Sequence, residues 1–224
     1  MAQRLLAATN YPVAVPNYRL TPRSNTDPSL RHPMHVRDLI DFLLFIIQWD
    51  DSPCNFDPSK LILIGHSCSA HMISALFFEQ MNLCPQILQS TAAVILSEGI
   101  YDIDSLLRSF PTYRDWFIEP VFGPGPYHKF SILNSTLHHG LDFPWLLIHS
   151  EGDTLVDVRQ TTEMHDHLRG LQASVTISLF DKGEHDAILE TEEYVNAVKA
   201  FLLPRGAIYE EEKACTITSL PYNR

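Results

Sequence analysis

Ser67 stands in the run Leu61-Ile62-Leu63-Ile64-Gly65-His66-Ser67-Cys68-Ser69-Ala70. Four apolar residues lead into Gly65, and small residues lie two before and two after the serine. That order suits a buried strand, a sharp turn and a helix, with the serine hydroxyl held proud of the sheet as a nucleophile. Strand and helix approach closely at such a turn, so both flanking positions must be small. Ser69 occupies the second of them, where glycine is usual. The plain alternative is an ordinary strand-to-helix turn carrying an incidental serine.

A serine nucleophile needs a base to take its proton and a carboxylate to orient that base. Residues 143–149 read as a second buried strand, which runs into Ser150-Glu151-Gly152-Asp153-Thr154-Leu155-Val156-Asp157. Asp153 is the favoured acid. Asp157 suits the N-terminus of the following helix, where a negative charge meets the helix dipole, yet it remains a rival partner if the loop is shorter. Glu151 reads as a solvated loop charge. A third strand at 175–180 leads into Asp181-Lys182-Gly183-Glu184-His185-Asp186 and a last helix, which makes His185 the base. The triad expected is therefore Ser67, Asp153 and His185. The Cys68 backbone N–H is the expected oxyanion donor, its thiol a small buried hydrophobe.

The elements that must position these residues alternate. A helix end at 2–9 precedes a short strand at 12–17 and a loop rich in Pro, Ser, Asn and Asp to residue 33. Val36, Leu39, Ile40, Leu43, Ile46 and Ile47 recur at helical spacing over 35–49, with Arg37, Asp38, Asp41 and Gln48 opposite. A loop at 50–59 leads to the strand at 61–64, the turn, and a helix to about Gln80. A strand at 91–96 follows, then those at 144–149 and 175–180 with a helix at 158–169 between them, and a closing helix at 187–202. Strands alternating with helices predict an α/β fold, a mostly parallel sheet covered on both faces. Residues 1–204 form one domain, and 205–224 a polar, frayed tail.

The alternation stops at about 101–141. This insert holds Tyr101, Phe110, Tyr113, Trp116, Phe117, Phe122, Tyr127 and Phe130. Either these rings pack a cap onto the body, or some of them line a pocket for a flat aromatic group; Tyr101, Tyr113, Trp116 and Phe117 are the pocket candidates. His138-His139 read as loop residues. His165 and His167 lie two apart on a helix and share no face, so no metal site is expected.

The 224 residues suffice for one sizeable core, and 45% of them are apolar. A net charge of −11 argues against nucleic acid or anionic lipid as partner. Cys54, Cys68, Cys84 and Cys215 form no CxxC pair, so reduced thiols and a cytoplasmic location are expected. The N-terminus has too short an apolar run for a signal peptide, and no stretch reaches the ~20 apolar residues that span a bilayer.

Together these residues resemble the α/β-hydrolase superfamily, in the branch related to hormone-sensitive lipase, and within it fungal kynurenine formamidases (arylformamidases). The match rests on Tyr18-Arg19-Leu20 with Pro22, Gly65-His66-Ser67, Gly99-Ile100-Tyr101, Leu107 and Tyr113, His149-Ser150 with Asp153, Arg159-Gln160-Thr161 and His185-Asp186. It covers about residues 11–200. In that fold the triad runs in the order Ser, acid, His, as here. The resemblance implies hydrolysis of the formamide of N-formyl-L-kynurenine in tryptophan degradation, with no cofactor or metal. The partner is a small aromatic formamide or ester, and a homodimer is allowed for. The branch carries a His-Gly-Gly-x-Trp oxyanion segment upstream of the Tyr-Arg-Leu strand, and it has further early strands; neither is found here. The chain therefore reads as N-terminally truncated, and the rival readings are a general carboxylesterase, a peptidase of the same fold, or a catalytically impaired fragment.

Overall fold

The computed structural model describes residues 1–24, 26–52, 54–78, 84–138, 141–181 and 183–203, together with the backbone of 216–217. Its centre is a four-stranded, all-parallel sheet of β2 (Leu61–His66), β3 (Thr91–Ser97), β4 (Trp145–Ser150) and β5 (Val175–Phe180). Sheet order follows chain order, β2-β3-β4-β5. Burial explains the apolar runs of the two inner strands: β4 is buried at every residue and β3 at all but one, as strands covered on both faces must be, while the outer β2 and β5 are only partly covered.

Successive side chains on a strand point to opposite faces, and the core divides accordingly. Leu63, Val94, Leu96, Trp145, Leu147 and Ile177 join one cluster. It packs against α2 (Met34–Ile47), α3 (Cys68–Phe77), α4 (Pro85–Ser90) and α7 (Val158–Gly170). Ile64, Ile95, Leu146 and Ile148 join the other, under α1 (Ala2–Thr9) and α8 (Glu192–Leu202). The apolar stripe read on α2 is the face that packs inward, through Val36, Leu43 and Ile46.

Four local expectations are corrected. The closing helix is broken: a 3-10 turn at Ala187–Glu190 precedes α8, and Thr191 caps α8 by accepting the Tyr194 N–H at 3.2 Å. The early strand is two residues long, β1 (Val13–Ala14), and it lies outside the main sheet, paired in parallel with β6 (Thr216–Ile217). The tail expected to fray thus contributes a strand at 216–217; its remaining residues, like residues 79 and 80 at the end of the helix expected to run to about Gln80, lie outside those described. Cys54 is disulfide-bonded, contrary to the reduced thiol expected, while Cys68 and Cys84 are free.

The insert forms α5 (Ile103–Ser109), a π-type turn at Arg114–Ile118 and α6 (Glu119–Phe122). It has its own small core of Ile103, Leu106, Tyr113, Ile118, Tyr127 and Val156. Among the described residues no helix is long and apolar enough to cross a membrane.

Candidate active site

In a parallel sheet all strands end at one edge, and ligands bind in the crevice there. Ser67, Glu98, Asp153 and His185 each follow the end of one of the four strands, so the fold brings to one edge residues that are up to 118 positions apart in the chain.

At the end of β2, Ser67 has φ 54° and ψ −119°, a conformation that suits glycine. Its N–H donates to Ser97 O at 2.9 Å, and α3 begins at the next residue. Gly65 is required by close approach: a Cβ there would lie 2.8 Å from Ser69 O and 2.9 Å from Ala70 N. This is the strained turn the sequence predicted. The Cys68 N–H heads α3, where an oxyanion would meet the helix dipole. Its thiol is exposed, contrary to the buried side chain expected. The thiol lies 3.8 Å from the Tyr18 hydroxyl. Tyr18 is held over the turn by its neighbour Arg19, whose guanidinium and backbone N–H both bind Asp38 of α2.

Asp153 sits in the loop after β4. Its Oδ1 accepts the N–H groups of Leu155 at 2.7 Å and Val156 at 3.0 Å, and its Oδ2 lies 2.7 Å from His185 Nδ1. Burial pushes this carboxyl up, but the His185 and backbone hydrogen bonds outweigh it and hold it below the usual range. Burial pulls His185 down, but the Asp153 hydrogen bond and the nearby charges of Asp153 and Glu98 raise it to about 9. Asp157 precedes α7 and is the helix-opening residue expected, although its side chain makes no cap hydrogen bond.

His149 supports this loop from below. It is fully buried, with Nδ1 2.8 Å from Thr161 Oγ1 and Nε2 3.1 Å from Val156 O. Burial holds it below the usual histidine range. A neutral ring that donates from Nε2 to Val156 and accepts the Thr161 hydroxyl at Nδ1 satisfies both contacts. Gln160, the preceding residue of α7, accepts the N–H groups of Tyr101 and Asp102 at 2.7 and 2.8 Å and donates to Asp102 O at 2.8 Å. The Gln-Thr pair thus ties the exit of β3 to the acid loop.

Glu98 is the residue that sequence reasoning missed. It follows β3, is fully buried and has φ 47°. Its Oε1 accepts the Ser150 N–H at 3.2 Å, and its Oε2 lies 3.3 Å from His185 Nδ1. That oxygen has no hydrogen bond, because the imidazole N–H is directed at Asp153. Burial pushes Glu98 up to about 7, against the pull of His185. A carboxylate at a strand end carries no local sequence signal that separates it from a solvated charge.

His66 was also missed. Its Nδ1 lies 3.0 Å from Ser97 Oγ, and its ring packs against that of His185 with centroids 4.7 Å apart. His66, Glu98 and His185 each bring a donor atom within 4.8 Å of the others. The His185 Nδ1 proton is committed to Asp153, so the group reads as an acid–base constellation rather than a metal centre. Ser67 Oγ makes no hydrogen bond to His185; hydrogen bonds of this kind are often long without ligand and tighten in the complex.

The pocket candidates separate. Tyr101 is corrected: it is fully buried in the main core, and its ring fills the space a Cβ on Gly99 would need. Tyr113 is nearly buried, stacked on Phe110 at 4.9 Å, and donates to Leu155 O at 3.2 Å. Trp116 is exposed, edge-on to Tyr113 at 5.2 Å, and lies under the Arg23 guanidinium; Phe117 is partly exposed. His138 donates its N–H to Phe77 O, His139 lies outside the described residues, and His167 stacks on Phe78.

No family model matches the chain. Among curated proteins it is 23% identical to a kynurenine formamidase of Meyerozyma guilliermondii over 188 residues, 77% of this chain. It spans 64% of that protein's length, so slightly less than two thirds of it. It is 26% identical to the kynurenine formamidase of Eremothecium gossypii over 197 residues, covering 78% of this chain and 74% of that one. Among solved structures, a lipase/esterase from Lactobacillus plantarum superposes with a TM-score of 0.64 at 17% identity, over 93% of this chain and 78% of the other. The fold is that of the α/β-hydrolases.

Proposed function

We propose that this chain, an α/β-hydrolase by fold, is a serine hydrolase that cleaves N-formyl-L-kynurenine to kynurenine and formate. The observation that carries the proposal is the 2.7 Å His185–Asp153 pair at the same sheet edge as the strained Ser67. The likeness to two fungal kynurenine formamidases supports the choice of substrate.

In this reading Ser67 Oγ attacks the formyl carbon while His185 Nε2 takes its proton. The oxyanion accepts the Cys68 N–H. The C–N bond then breaks, and His185 returns the proton to the departing arylamine nitrogen. That step matters more for an amide than for an ester, because an amide anion is a poor leaving group. Water, deprotonated by His185, attacks the formyl ester; formate leaves and Ser67 regains its proton. Asp153 holds the imidazole in the Nδ1–H tautomer and stabilises its charged form. Trp116 and Phe117 face the aromatic ring.

A general carboxylesterase is the second reading, favoured by the lipase/esterase neighbour. The test is kcat/KM for formylkynurenine against p-nitrophenyl acetate, with Ser67→Ala as control. Formylkynurenine should be preferred. A preference for the ester moves the assignment to a carboxylesterase, and turnover that survives Ser67→Ala overturns both.

A further inference from the structure

Two carboxylates, not one, confront the imidazole of His185. Asp153 Oδ2 lies 2.7 Å and Glu98 Oε2 3.3 Å from the same Nδ1. One N–H cannot serve both, and Glu98 Oε2 is left without a hydrogen bond in a fully buried position. A buried, unsatisfied carboxylate oxygen is costly, and three features hold it there nonetheless. Glu98 has φ 47° at the end of β3. Its N–H donates to Ile148 O at 2.9 Å. Its other oxygen is fastened to the Ser150 N–H at the end of β4. Backbone and side chain together aim Oε2 at the imidazole from the strand next to the one that carries Asp153.

We propose that Glu98 is a second acid of this site, a positioning residue that shares the orientation of His185 with Asp153 and takes over the Nδ1–H when Asp153 is lost. The proposal rests on the serine-hydrolase reading above. Its chemistry involves no new bond: the proton stays on Nδ1 and changes only its acceptor, from Asp153 Oδ2 to Glu98 Oε2. The other charged or titratable groups around the pair are His66 and Asp186 beside the ring, His149 below the acid loop, and Tyr194 of α8 near Glu98. None of these is placed to accept from His185 Nδ1. The upward shift of Glu98 means that it carries a proton part of the time near neutral pH. In that fraction the exchange of acceptor is accompanied by loss of the Glu98 proton to solvent, so that the carboxylate is charged when it replaces Asp153.

The test is a double-mutant cycle with Asp153→Asn, Glu98→Gln and the double variant, read as kcat/KM on p-nitrophenyl acetate. Where a triad has one acid, its amide variant falls about 10⁴-fold. Here Asp153→Asn alone should fall only about 10–100-fold, and the double variant a further tenfold or more beyond the product of the singles. Glu98→Gln keeps an oxygen for the Ser150 N–H, and urea melts verify its folding. With one negative charge removed, its acid limb of kcat/KM should move to lower pH by half a unit or more, and a packing role alone would not move that limb. Titration of His185 by ¹⁵N NMR reads the same shift without turnover. If the wild type is no better than Ser67→Ala, the hydrolase reading fails, and the NMR shift still decides whether Glu98 acts on His185. Asp153→Asn as inactive as Ser67→Ala, or a His185 titration unmoved by Glu98→Gln, overturns the proposal.

Discussion

His66 and His185 lie ring against ring, centroids 4.7 Å apart and 48° between planes, yet their protonation is opposed. Burial and the charge on His185 hold His66 down to about 4, while the two carboxylates raise His185 to about 9. His66 therefore stays neutral across the physiological range and leaves the one positive charge to its neighbour.

The first prediction follows from that pairing. A base must be unprotonated, and with a pKa of about 9 only about 1% of His185 is so at pH 7. We expect kcat/KM to rise with pH through neutrality, with its acid limb well above the 6.5 of free histidine. The linked stability has the opposite sign: the raised pKa stabilises the fold fully below about 6.5, and this contribution is lost as pH rises through about 9. A pH–rate profile with its limb at or below 6.5 would show that the carboxylates do not hold the proton.

The second concerns the strain at Ser67. A non-glycine residue in such a conformation costs about 1–3 kcal/mol, while glycine loses about 0.5–1 kcal/mol more backbone entropy on folding. Strain is the larger effect. Ser67→Gly should therefore unfold at higher urea than Ser67→Ala, by up to about 2 kcal/mol. Both should lose about 10⁶-fold in kcat. An alanine variant as stable as the glycine variant would mean that the turn is relaxed.

The rival acids can be told apart. Asp153 receives two backbone N–H groups and His185, whereas the side chain of Asp157 makes no cap bond. Asp157→Asn should keep kcat/KM within about twofold of wild type, against a loss of at least tenfold for Asp153→Asn. A greater loss at Asp157 would reverse the assignment.

The last prediction lies under the cap. His71 of α3 is fully buried, donates from Nδ1 to Ile100 O at 3.1 Å and has no partner at Nε2. Burial lowers it to about 4, and it lowers His32, whose ring lies 5.6 Å away, to about 3. The unfolded chain takes up these protons near pH 6.5 and the folded one does not, so stability falls as pH drops below 6.5. Each histidine contributes about 1.4 kcal/mol per pH unit until its folded pKa is reached. Urea melts at pH 7, 6 and 5 should show this slope, and His71→Gln should flatten it. An unchanged slope in that variant would place the acid sensitivity elsewhere.

What could be read from the sequence was what the local chain encodes. The apolar run before Gly65 announced β2 and the turn. The strands before Asp153 and His185 were legible for the same reason, and with them the loops that carry both residues. Glu98 was not, because its role comes from β3 lying beside β4, a relation between segments about fifty residues apart. Tyr101 was misjudged because an aromatic at the start of an insert looks the same whether it turns into the core or toward a ligand. The pairing of Val13–Ala14 with Thr216–Ile217 joins two short segments from opposite ends of the chain, and nothing local marks either as the other's partner.

The agreement between sheet order and chain order has a consequence in time. As the chain is made, each strand of the central sheet emerges next to the one it pairs with, so the sheet grows by neighbouring additions without waiting for a distant segment. The reacting groups arrive in the same sequence: the hydroxyl at 67, the buried carboxyl at 98, the acid at 153 and the imidazole at 185. The turn at Ser67 gains its Ser97 hydrogen bond only once β3 has been made, and the serine gains the group that activates it only when the fourth strand is in place.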